Sequence, residues 1–256
     1  MELEVNVHWL DEVDSTNKYC IENFNNLADG TLVVAGRQNC GRGRRGRTWI
    51  SPEGENIYAS YIVKNLTFPA YHSSWIGSLA TLDFLRGFLP VESAWLKWPN
   101  DIYCGINKIS GMLCEIKTGQ GNSIEGVVIG IGININMSRE CLDKIDQPAT
   151  SLSAETLAMY NVKDMVNQLA LSLNKFYTLA VSGTETLYSQ WKDENFLLGK
   201  AIEVISEDDS VTSGIIADIG RSGELIMDVN GTMKVFMSGD ISIRKTPEFY
   251  DLINSK

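Results

Sequence analysis

Apolar residues alternate with polar ones in some stretches of the chain and recur at helical spacing in others, so strands and helices can be predicted from the pattern. Val5, Val7 and Trp9 alternate with polar residues, which is typical of a half-buried strand. Asp14 and Ser15 then offer an N-cap for a short helix. Further helices are predicted where apolar residues recur every three to four positions. They cover about 71–89, 162–180 and 185–193.

Short apolar or alternating runs, separated by turn residues, predict the strands of a larger sheet. They cover about 31–36, 56–63, 94–99, 101–104, 108–117 and 124–135. After residue 200 the runs recur roughly every ten residues, which is typical of a small barrel or sandwich. These runs are 201–206, 211–220, 224–229, 233–238 and 240–245. The change of pattern predicts a domain boundary between residues 195 and 200.

Composition adds that this is an ordinary globular chain, with 256 residues of which 44% are hydrophobic and 21% charged. Extended disorder is excluded. The formal net charge of −10 argues against broad binding of nucleic acid. Residues 37–47, however, read RQNCGRGRRGR, with five arginines and no acidic residue, so the other 245 residues carry a formal charge of −15. The sequence therefore predicts one concentrated anion-binding loop in an acidic protein.

Cysteine, histidine and the N-terminal residues exclude several classes of protein. The five cysteines form no CxxC pair, and the first twenty residues lack a basic start followed by an apolar signal core. The longest weakly polar run, 126–135, is half the roughly 20 residues that a membrane helix needs. We therefore predict a reduced, cytoplasmic protein without a membrane span. His8 and His72 belong to no HExxH motif or Cys/His cluster, so zinc hydrolysis and Ser-His-Asp catalysis have no support.

The arginine-rich loop contains the pattern GxGxxG at 41–46. Residues 47–52 read as loop and strand, whereas a dinucleotide fingerprint must open a helix, and a Walker A pattern is absent. Glycines let the backbone approach a ligand, and arginines offer planar donor pairs to phosphate or carboxylate. We expect the loop to be mobile when empty and to order around an anion. A solvated loop and an RNA contact are the alternatives.

Polar residues and glycines also mark two predicted turns and strands further along. Asn100 and Asp101 come after a strand that ends at a proline, where they could contact a ligand or Mg²⁺ or simply form an Asx turn. Lys108 begins a strand, and Gly111 lies three residues beyond it. A lysine there commonly extends to solvent, but a nearby glycine suggests that something large approaches.

The predicted strand at 124–135 contains Gly130 and Gly132, which leave one of its faces without side chains at these positions. Asn134 comes two residues later and would point to whatever fills the gap. Each of these signals is weak when it is taken alone. Their value lies in the order in which they occur along the chain.

That order resembles the biotin protein ligases. The shared motifs are DSTN at 14–17, Q with GRGRRGR and SP within 38–52, KWPND at 97–101, KxxGxLxE at 108–115 and GxGxN at 130–134. The resemblance covers about residues 10–245. It implies an α+β fold with a large mixed or antiparallel sheet and helices on one side, similar to class II synthetases, plus a small C-terminal SH3-like β-barrel. The catalytic biotin- and ATP-binding domain would be 1–197 and the barrel domain 198–256.

The resemblance also implies an enzyme, a ligase that joins biotin to the biotin carboxyl carrier protein and uses ATP and Mg²⁺. Biotin and MgATP would form biotinyl-5'-adenylate and pyrophosphate, and a lysine of the carrier would then attack the adenylate. Because the first step brings a carboxylate against a triphosphate, fixed cations must offset the repulsion. Lys108, Arg42 and Arg44 match the family's catalytic cations, and Asp101 matches its metal side.

Two overlapping sets of residues match the family's substrate positions. The biotin set consists of Ser15, Thr16, Asn17, Gln38, Arg42, Gly43, Arg44 and Lys108. The set for ATP and the adenylate consists of Arg42, Arg44, Arg45, Trp49, Lys97, Asn100, Asp101, Lys108, Gly132 and Asn134. The small polar ureido head of biotin needs a few neutral donors and acceptors, and the first set supplies them.

The sequence departs from the family at Asn39 and Cys40, where relatives commonly have an alanine before GRG, and this leaves the redox sensitivity of the loop open. Some relatives carry an N-terminal winged-helix domain, whereas 13 residues precede Asp14 here, so we expect the short form and no DNA partner. The expected partner is a biotin carboxyl carrier domain of acetyl-CoA carboxylase or a related carboxylase, and a homodimer is compatible with the resemblance. A lipoate or octanoate ligase of the same fold, and a noncatalytic biotin- or nucleotide-sensing module, stay open as alternatives.

Overall fold

The computed structural model describes residues 6–206, 209–237 and 241–244. The strands are β1 (Val7–Val13), β2 (Leu32–Gln38), β3 (Ile57–Val63), β4 (Ala94–Lys97), β5 (Asp101–Cys104), β6 (Asn107–Thr118), β7 (Ile124–Ile133), β8 (Ala201–Ser206), β9 (Val211–Ile219), β10 (Leu225–Val229), β11 (Thr232–Phe236) and β12 (Ile241–Arg244). The helices are α1 (Thr16–Glu22), α2 (Ser73–Arg86), α3 (Arg139–Leu142), α4 (Leu152–Thr156), α5 (Val162–Ser182) and α6 (Thr184–Asp193). Parts of three predicted strands, namely Val5, Ser238, Asp240 and Lys245, lie outside the described residues. The same is true of residues 1–5 of the predicted catalytic domain and of residues 207–208, 238–240 and 245–256 of the predicted barrel domain.

Seven of these strands form one mixed sheet in the order β1-β2-β3-β7-β6-β5-β4. The neighbours β1 and β2 run parallel, with α1 as their connection, and the other neighbouring pairs are antiparallel. The longest ladder joins β6 to β7, from Ser110 opposite Ile133 to Thr118 opposite Ile124. The prediction of an α+β fold with a large mixed sheet is confirmed.

The two faces of this sheet are covered by different helices. On β7, Ile129 and Ile133 are buried in the main hydrophobic core, which includes residues of α2, α5 and α6. Val128, which lies next to Ile129 in the alternation, packs instead against Cys20 and Phe24 near α1. Because successive side chains of a strand point to opposite faces, α1 lies on the face opposite α2 and α5. The expectation of helices on one side is therefore wrong for α1, which has to cross one face of the sheet to connect two parallel neighbours.

The long helices agree with the apolar periodicity, with small differences at their ends. A 3-10 turn, Ala70–His72, precedes α2, so the α-helix begins at Ser73 and not at Tyr71. The short helices α3 and α4 have four and five residues, too few for a periodic pattern, and were not predicted. Among the described residues, the helices are all too short or too polar to traverse a lipid bilayer.

The second sheet has five antiparallel strands in the order β11-β10-β9-β8-β12. Its buried side chains, such as Ile216 and Leu225, belong to the same hydrophobic core as those of the large sheet. The turn between β9 and β10 is hydrogen-bonded to the loop between β4 and β5, because Trp98 Nε1 donates to Gly223 O at 2.9 Å. The small sheet is thus joined to the rest of the structure by this bond and by the shared core.

Candidate active site

A cavity of about 770 Å³ opens on the α1 face of the large sheet, within the range of about 300–1,000 Å³ that is usual for ligand sites. Strands β5, β6 and β7 form its floor, and the arginine-rich loop and the start of α1 form two of its sides. Residues 144–149 form another side, and Ile205 of β8 reaches it from the second sheet. Every residue that the sequence analysis assigned to biotin, ATP or the metal lines this cavity.

Two glycines of β7 give other side chains room to cross the floor of the cavity. A Cβ at Gly132 would lie 2.3 Å from the indole of Trp49. A Cβ at Gly130 would lie 2.3 Å from Asn17 Oδ1. Real Cβ atoms do not approach other atoms so closely, so both positions require glycine as long as Trp49 and Asn17 stay in place. The prediction that these two glycines leave a gap on one face of the strand agrees with this geometry, and Asn17 and Trp49 fill that gap.

Lys108 and Gly111 lie on the same face of β6, although three residues separate them. The pairing with β5 shifts register at Ile109, which forms a bulge and returns Lys108 to the face of Gly111. A Cβ at Gly111 would lie 2.9 Å from Lys108 Nζ. Lys108 Nζ forms an ion pair of 2.7 Å with Asp101 Oδ1 and lies 5.5 Å from the centre of the Trp49 ring. The bulge therefore directs this ammonium group into the cavity and not to solvent.

The arginine-rich loop folds as a small hairpin over the cavity. Gly43 N donates to Arg47 O at 2.7 Å, and Trp49 N donates to Gly41 O at 2.9 Å. The turn of this hairpin contains Arg45 at φ +55°, a left-handed conformation that is uncommon for residues other than glycine. The mobility of the loop without a ligand stays a prediction.

Two arginines attach this hairpin to β6 and its neighbours. Arg42 Nη2 donates to Glu115 Oε2 at 2.9 Å, and Arg44 Nη1 donates to Asn100 Oδ1 at 3.0 Å. Asn100 is itself fixed by Met112, whose backbone N–H and C=O both hydrogen-bond to it. The amide of Asn100 thus holds Arg44 against the mouth of the cavity.

The cations around Asp101 are desolvated. Burial lowers the pKa of Arg44, and it lowers the pKa of Lys97 to about 8, while the nearby carboxylate of Asp101 opposes both shifts. With Lys108, three cationic side chains line the cavity near one carboxylate. A polyanion that enters would therefore meet cations already stripped of water, and we expect it to raise both pKa values.

Polar residues at the start of α1 form a hydrogen-bonded group with β2 and β3, here called the head group site: Thr16, Asn17, Gln38 and Ser60. Gln38 Oε1 accepts from Thr16 N at 2.9 Å and lies 3.2 Å from Thr16 Oγ1. Ser60 Oγ lies 2.8 Å from Thr16 Oγ1 and 2.5 Å from Asn17 Oδ1. Ser15 is the N-cap of α1 but makes no side-chain capping bond. The arrangement suits a small, neutral and polar part of a ligand.

Asn134 lines the cavity but uses its amide within the protein. Its Nδ2 donates to Thr150 O at 2.9 Å, and its backbone carbonyl oxygen accepts from Leu152 N at 3.0 Å. These bonds hold the segment after residue 149 against β7. Asn134 thus supports the wall of the cavity, and its predicted contact with the nucleotide stays a prediction.

Several residues in or next to the site were not predicted from the sequence. Ser60 is a polar residue in a strand that is otherwise buried and mostly apolar, and that contrast could have indicated it. Glu115 ends the motif KxxGxLxE but was given no role. Residues 144–149 and Ile205 carry no motif, since they reach the cavity only through the tertiary fold.

The implied Mg²⁺ fits this cavity as an ion carried by a nucleotide. In the part of the chain that the structure describes, no group of three or more His, Cys, Asp or Glu side chains converges on a common point. Mg²⁺ commonly takes one or two carboxylates and completes its shell with water and phosphate oxygens. Asp101 supplies one carboxylate, partly exposed in the cavity, and this donor set is sufficient for that mode.

The chain matches two family models. Residues 9–134 match the biotin/lipoate A/B protein ligase family, and residues 197–244 match the biotin protein ligase C-terminal domain. The bifunctional ligase/repressor BirA of Salmonella typhimurium is 32% identical over 244 residues, which are 93% of this chain and 74% of that protein. The biotin–acetyl-CoA-carboxylase ligase of Paracoccus denitrificans is 28% identical over 224 residues, 85% of this chain and 92% of that protein.

The fold is similar to solved structures as well. The biotin protein ligase from Aquifex aeolicus, solved in complex with biotin and ATP, matches with a TM-score of 0.80 and 28% sequence identity. The match covers 94% of this chain and 99% of that one. Both sheets of the present structure are therefore included in the similarity.

Proposed function

The chain belongs to the biotin protein ligase family, and from that premise we propose how the residues of the cavity carry out the reaction. The protein is an ATP-dependent ligase that activates biotin as biotinyl-5'-AMP and transfers the biotinyl group to a lysine of a biotin carboxyl carrier domain. One observation carries the assignment of residues. Three residues of the head group site line a single cavity with the cations Lys108 and Arg44, so a polar head and a carboxylate can be held at once. These three residues are Thr16, Asn17 and Gln38.

Biotin binds with its ureido ring at the head group site and its carboxylate toward Lys108. Thr16 and Gln38 supply neutral donors and acceptors, and Ser15 adds a hydroxyl that does not cap its helix. Asn17 lies across Gly130 and limits the depth of this end. The valeryl chain of biotin then lies along the floor of the cavity, between the head group site and Lys108.

ATP binds at the other end, with its adenine beside Trp49 and its phosphates among the cations. The indole lies over Gly132, and its Nε1 is buried and has no hydrogen-bond partner among the described residues, so we assign it as a donor to a polar atom of the nucleotide. Arg42, Arg44 and Arg45 supply guanidinium groups from the hairpin. The phosphate end is completed by residues of the strands below, namely Lys97, Asn100 and Asp101.

In the first step, a carboxylate oxygen of biotin attacks the α-phosphorus of ATP, and the bond to the pyrophosphate leaving group breaks. Lys108 offsets the repulsion between the two anions and stabilises the charge that grows on the α-phosphate. Its ion pair with Asp101 keeps the ammonium group in the cavity before substrates arrive. Arg44, held by Asn100, covers the site from above.

When bound, Mg²⁺ neutralises phosphate charge and makes pyrophosphate a better leaving group. Asp101 would hold this ion with the phosphates. In the second step, the amine of the carrier lysine attacks the acyl carbon of the adenylate, an amide forms and AMP leaves. The hairpin keeps water from the mixed anhydride until the carrier arrives, which is the role we assign to Arg42, Gly43 and Arg44.

Finer assignments rest on the same premise. We propose that the carrier belongs to acetyl-CoA carboxylase or a related carboxylase, that residues 1–197 form the catalytic domain, and that residues 198–256 form an SH3-like barrel. The contact of Ile205 with the cavity supports a role of this second domain at the nucleotide end. A reduced cytoplasmic location and the absence of a DNA partner stay predictions.

The decisive experiment measures both half-reactions with purified protein. With biotin and MgATP but no carrier, we expect biotin-dependent pyrophosphate release and a product with the mass of biotinyl-adenylate. Addition of a carrier domain should give a band on a streptavidin blot. Lipoate and octanoate, offered in the same assay, should release no pyrophosphate. Release with lipoate but not with biotin would assign the chain to the rival activity.

A further inference from the structure

Glu115 is a charged side chain on β6 that lies just outside the cavity. It faces Val128 across the ladder, on the α1 face of the sheet, and it is absent from the residues that line the cavity. Its side chain is 29% exposed. Nothing in the two half-reactions uses it directly, yet it contacts a residue of the hairpin and a residue of the head group site.

Both contacts use the same oxygen of Glu115. Oε2 accepts from Arg42 Nη2 at 2.9 Å and from Asn17 Nδ2 at 2.7 Å. Asn17 Nδ2 also donates to Leu113 O at 3.0 Å, so both hydrogens of the amide face acceptors. The amide oxygen must then face Ser60, because a flipped amide would place it against two acceptors. Glu115 therefore fixes the orientation of a buried asparagine.

The orientation of the Asn17 amide determines the donor and acceptor roles of the other residues in the head group site. Ser60 Oγ can donate to Asn17 Oδ1, at 2.5 Å. Ser60 Oγ then keeps only acceptor capacity toward the Thr16 hydroxyl, 2.8 Å away. The single hydroxyl hydrogen of Thr16 is then directed to Ser60, and Gln38 Oε1 accepts from the backbone N–H of Thr16 at 2.9 Å. The contact of Glu115 with Asn17 thus determines which atoms of Ser60 and Thr16 act as donors and which act as acceptors.

The chain of contacts returns to the hairpin on its other strand. Gln38 Nε2 donates to Ser51 Oγ at 3.1 Å, and Ser51 Oγ donates to Trp49 O at 2.9 Å. The hydrogen bonds therefore run from Arg42 through Glu115 and the head group site to Trp49. Both strands of the hairpin are connected to the groups that would hold the ureido ring.

We propose that Glu115 is a positioning residue that couples closure of the arginine-rich hairpin to occupation of the head group site by biotin. The proposal rests on the proposed function. When biotin orders Thr16 and Asn17, the carboxylate of Glu115 is held in the place where Arg42 binds it. Because coupling between two sites is reciprocal, a closed hairpin also tightens biotin. Couplings of this kind commonly change affinity about 5–150-fold.

The test compares Glu115→Ala and Glu115→Gln with the wild-type protein. Binding of biotin and of MgATP is measured separately by calorimetry, and loss of preformed biotinyl-adenylate is monitored by mass spectrometry after rapid gel filtration. Glu194→Gln is the matched control, since Glu194 is 31% exposed and pairs with Arg86 at 2.6 Å away from the cavity. Melting temperatures are recorded for all four proteins.

We expect Glu115→Ala to weaken biotin binding about 5–150-fold and to release adenylate faster by a similar factor. MgATP binding without biotin should change by less than about threefold. Glu115→Gln should fall between wild type and Glu115→Ala, because its amide oxygen still accepts from Asn17 but carries no charge for Arg42. Glu194→Gln should bind biotin as the wild type does.

Equal biotin affinity and adenylate retention in wild type and Glu115→Ala would overturn the coupling. An equal loss of biotin and MgATP binding, with a lower melting temperature, would also overturn it, because that result indicates a merely structural residue. If Glu115→Ala does not fold, the same comparison is made with Glu115→Gln. Failure of the wild type itself to bind biotin or release pyrophosphate would instead refute the proposed function on which the coupling rests.

Discussion

The two faces of β6 and β7 are built from alternating residues of the same strands but obey opposite rules. On one face, Ile129 and Ile133 are fully buried beneath helices. On the other, Gly130 and Gly132 provide no side chain, and Asn17 and Trp49 cross the space that they leave. A difference of one residue in sequence thus separates the hydrophobic core from the ligand cavity.

This contrast shows where the fold is tolerant and where it is not. The core face gains stability from apolar burial, which depends on volume and adapts to small changes. The cavity face gives up that burial, and it contains polar and charged groups that need particular partners. We expect a change of one carbon atom to reduce stability on the first face and ligand binding on the second. Substitutions on each face test this expectation.

The largest effect should result from Lys108→Ala on the cavity face. Its ammonium group pairs with Asp101 and lies at the floor where the α-phosphate would be. Removal of one preorganised electrostatic group commonly lowers kcat about 10²–10³-fold. Single-turnover pyrophosphate release measures the effect. Lys175→Ala, at an exposed ion pair with Asp83, is the control and should retain the wild-type rate.

A smaller effect is expected from Gly132→Ala, which adds one carbon to the cavity face. The new Cβ would displace the Trp49 indole, and overpacking of this kind costs about 1–3 kcal/mol. We expect the KM for ATP to rise about tenfold or more, while biotin binding without ATP changes little. Steady-state kinetics with each substrate varied in turn distinguish these outcomes. An unchanged KM for ATP would refute the placement of adenine beside Trp49.

Ile129→Val removes one carbon from the core face and is the counterpart of Gly132→Ala. It should lower the free energy of unfolding by about 0.5–1.5 kcal/mol, because it removes the Cδ1 methyl group of a fully buried side chain and leaves a small cavity in the core. Urea denaturation measures the loss. Both KM values should stay as in the wild type, and a rise in either would show that the two faces are not independent.

The smallest effect concerns pH and the aromatic cluster on the core side. His72 stacks on Trp75, with ring centres 4.0 Å apart, and burial lowers its pKa below the ordinary value. The unfolded chain therefore binds a proton more readily, and the folded protein loses stability as pH falls through about 6.5. The loss should be a fraction of the roughly 1.4 kcal/mol per pH unit that one proton allows.

The measurement for His72 is urea denaturation between pH 7.5 and 5.5 for the wild type and His72→Phe. This substitution keeps an aromatic ring next to Trp75 but removes the titrating group. The variant should lose less stability than the wild type over this range. Identical pH dependence of the two proteins would show that His72 does not titrate as its burial implies.

The sequence predicted more of the site than of its internal connections. The resemblance of the motif order to the biotin protein ligases assigned residues from Ser15 to Asn134 that all line one cavity, although each local signal was weak alone. Their roles toward biotin, ATP and Mg²⁺ stay predictions. Ser60 and Glu115 were missed, since their importance comes from partners that lie 44 and 98 residues away at Thr16 and Asn17. Local patterns do not contain such contacts.

The same limit applies to the fold. Alternation predicted that β7 has two faces, but it did not indicate that α1 would cover one of them, because that depends on the path of the whole chain. The bulge at Ile109 was also not predicted, since a run such as KISGMLCEIK reads as one regular strand. The motif therefore contained both Lys108 and Gly111, but the sequence did not show that the two residues lie on the same face of the strand.

The bulge at Ile109 shifts the alternation of side chains within β6 by one residue. Residues before and after it alternate in opposite phases, and the lysine and the glycine share a face because one extra residue separates the two phases. The bulge therefore adds one buried side chain to the hydrophobic core without moving Lys108 off the cavity face. A different apolar side chain at Ile109 keeps this arrangement. Deletion of Ile109 would make the strand regular, with Lys108 two residues from Gly111 and still on the same face, but it would remove that side chain from the core.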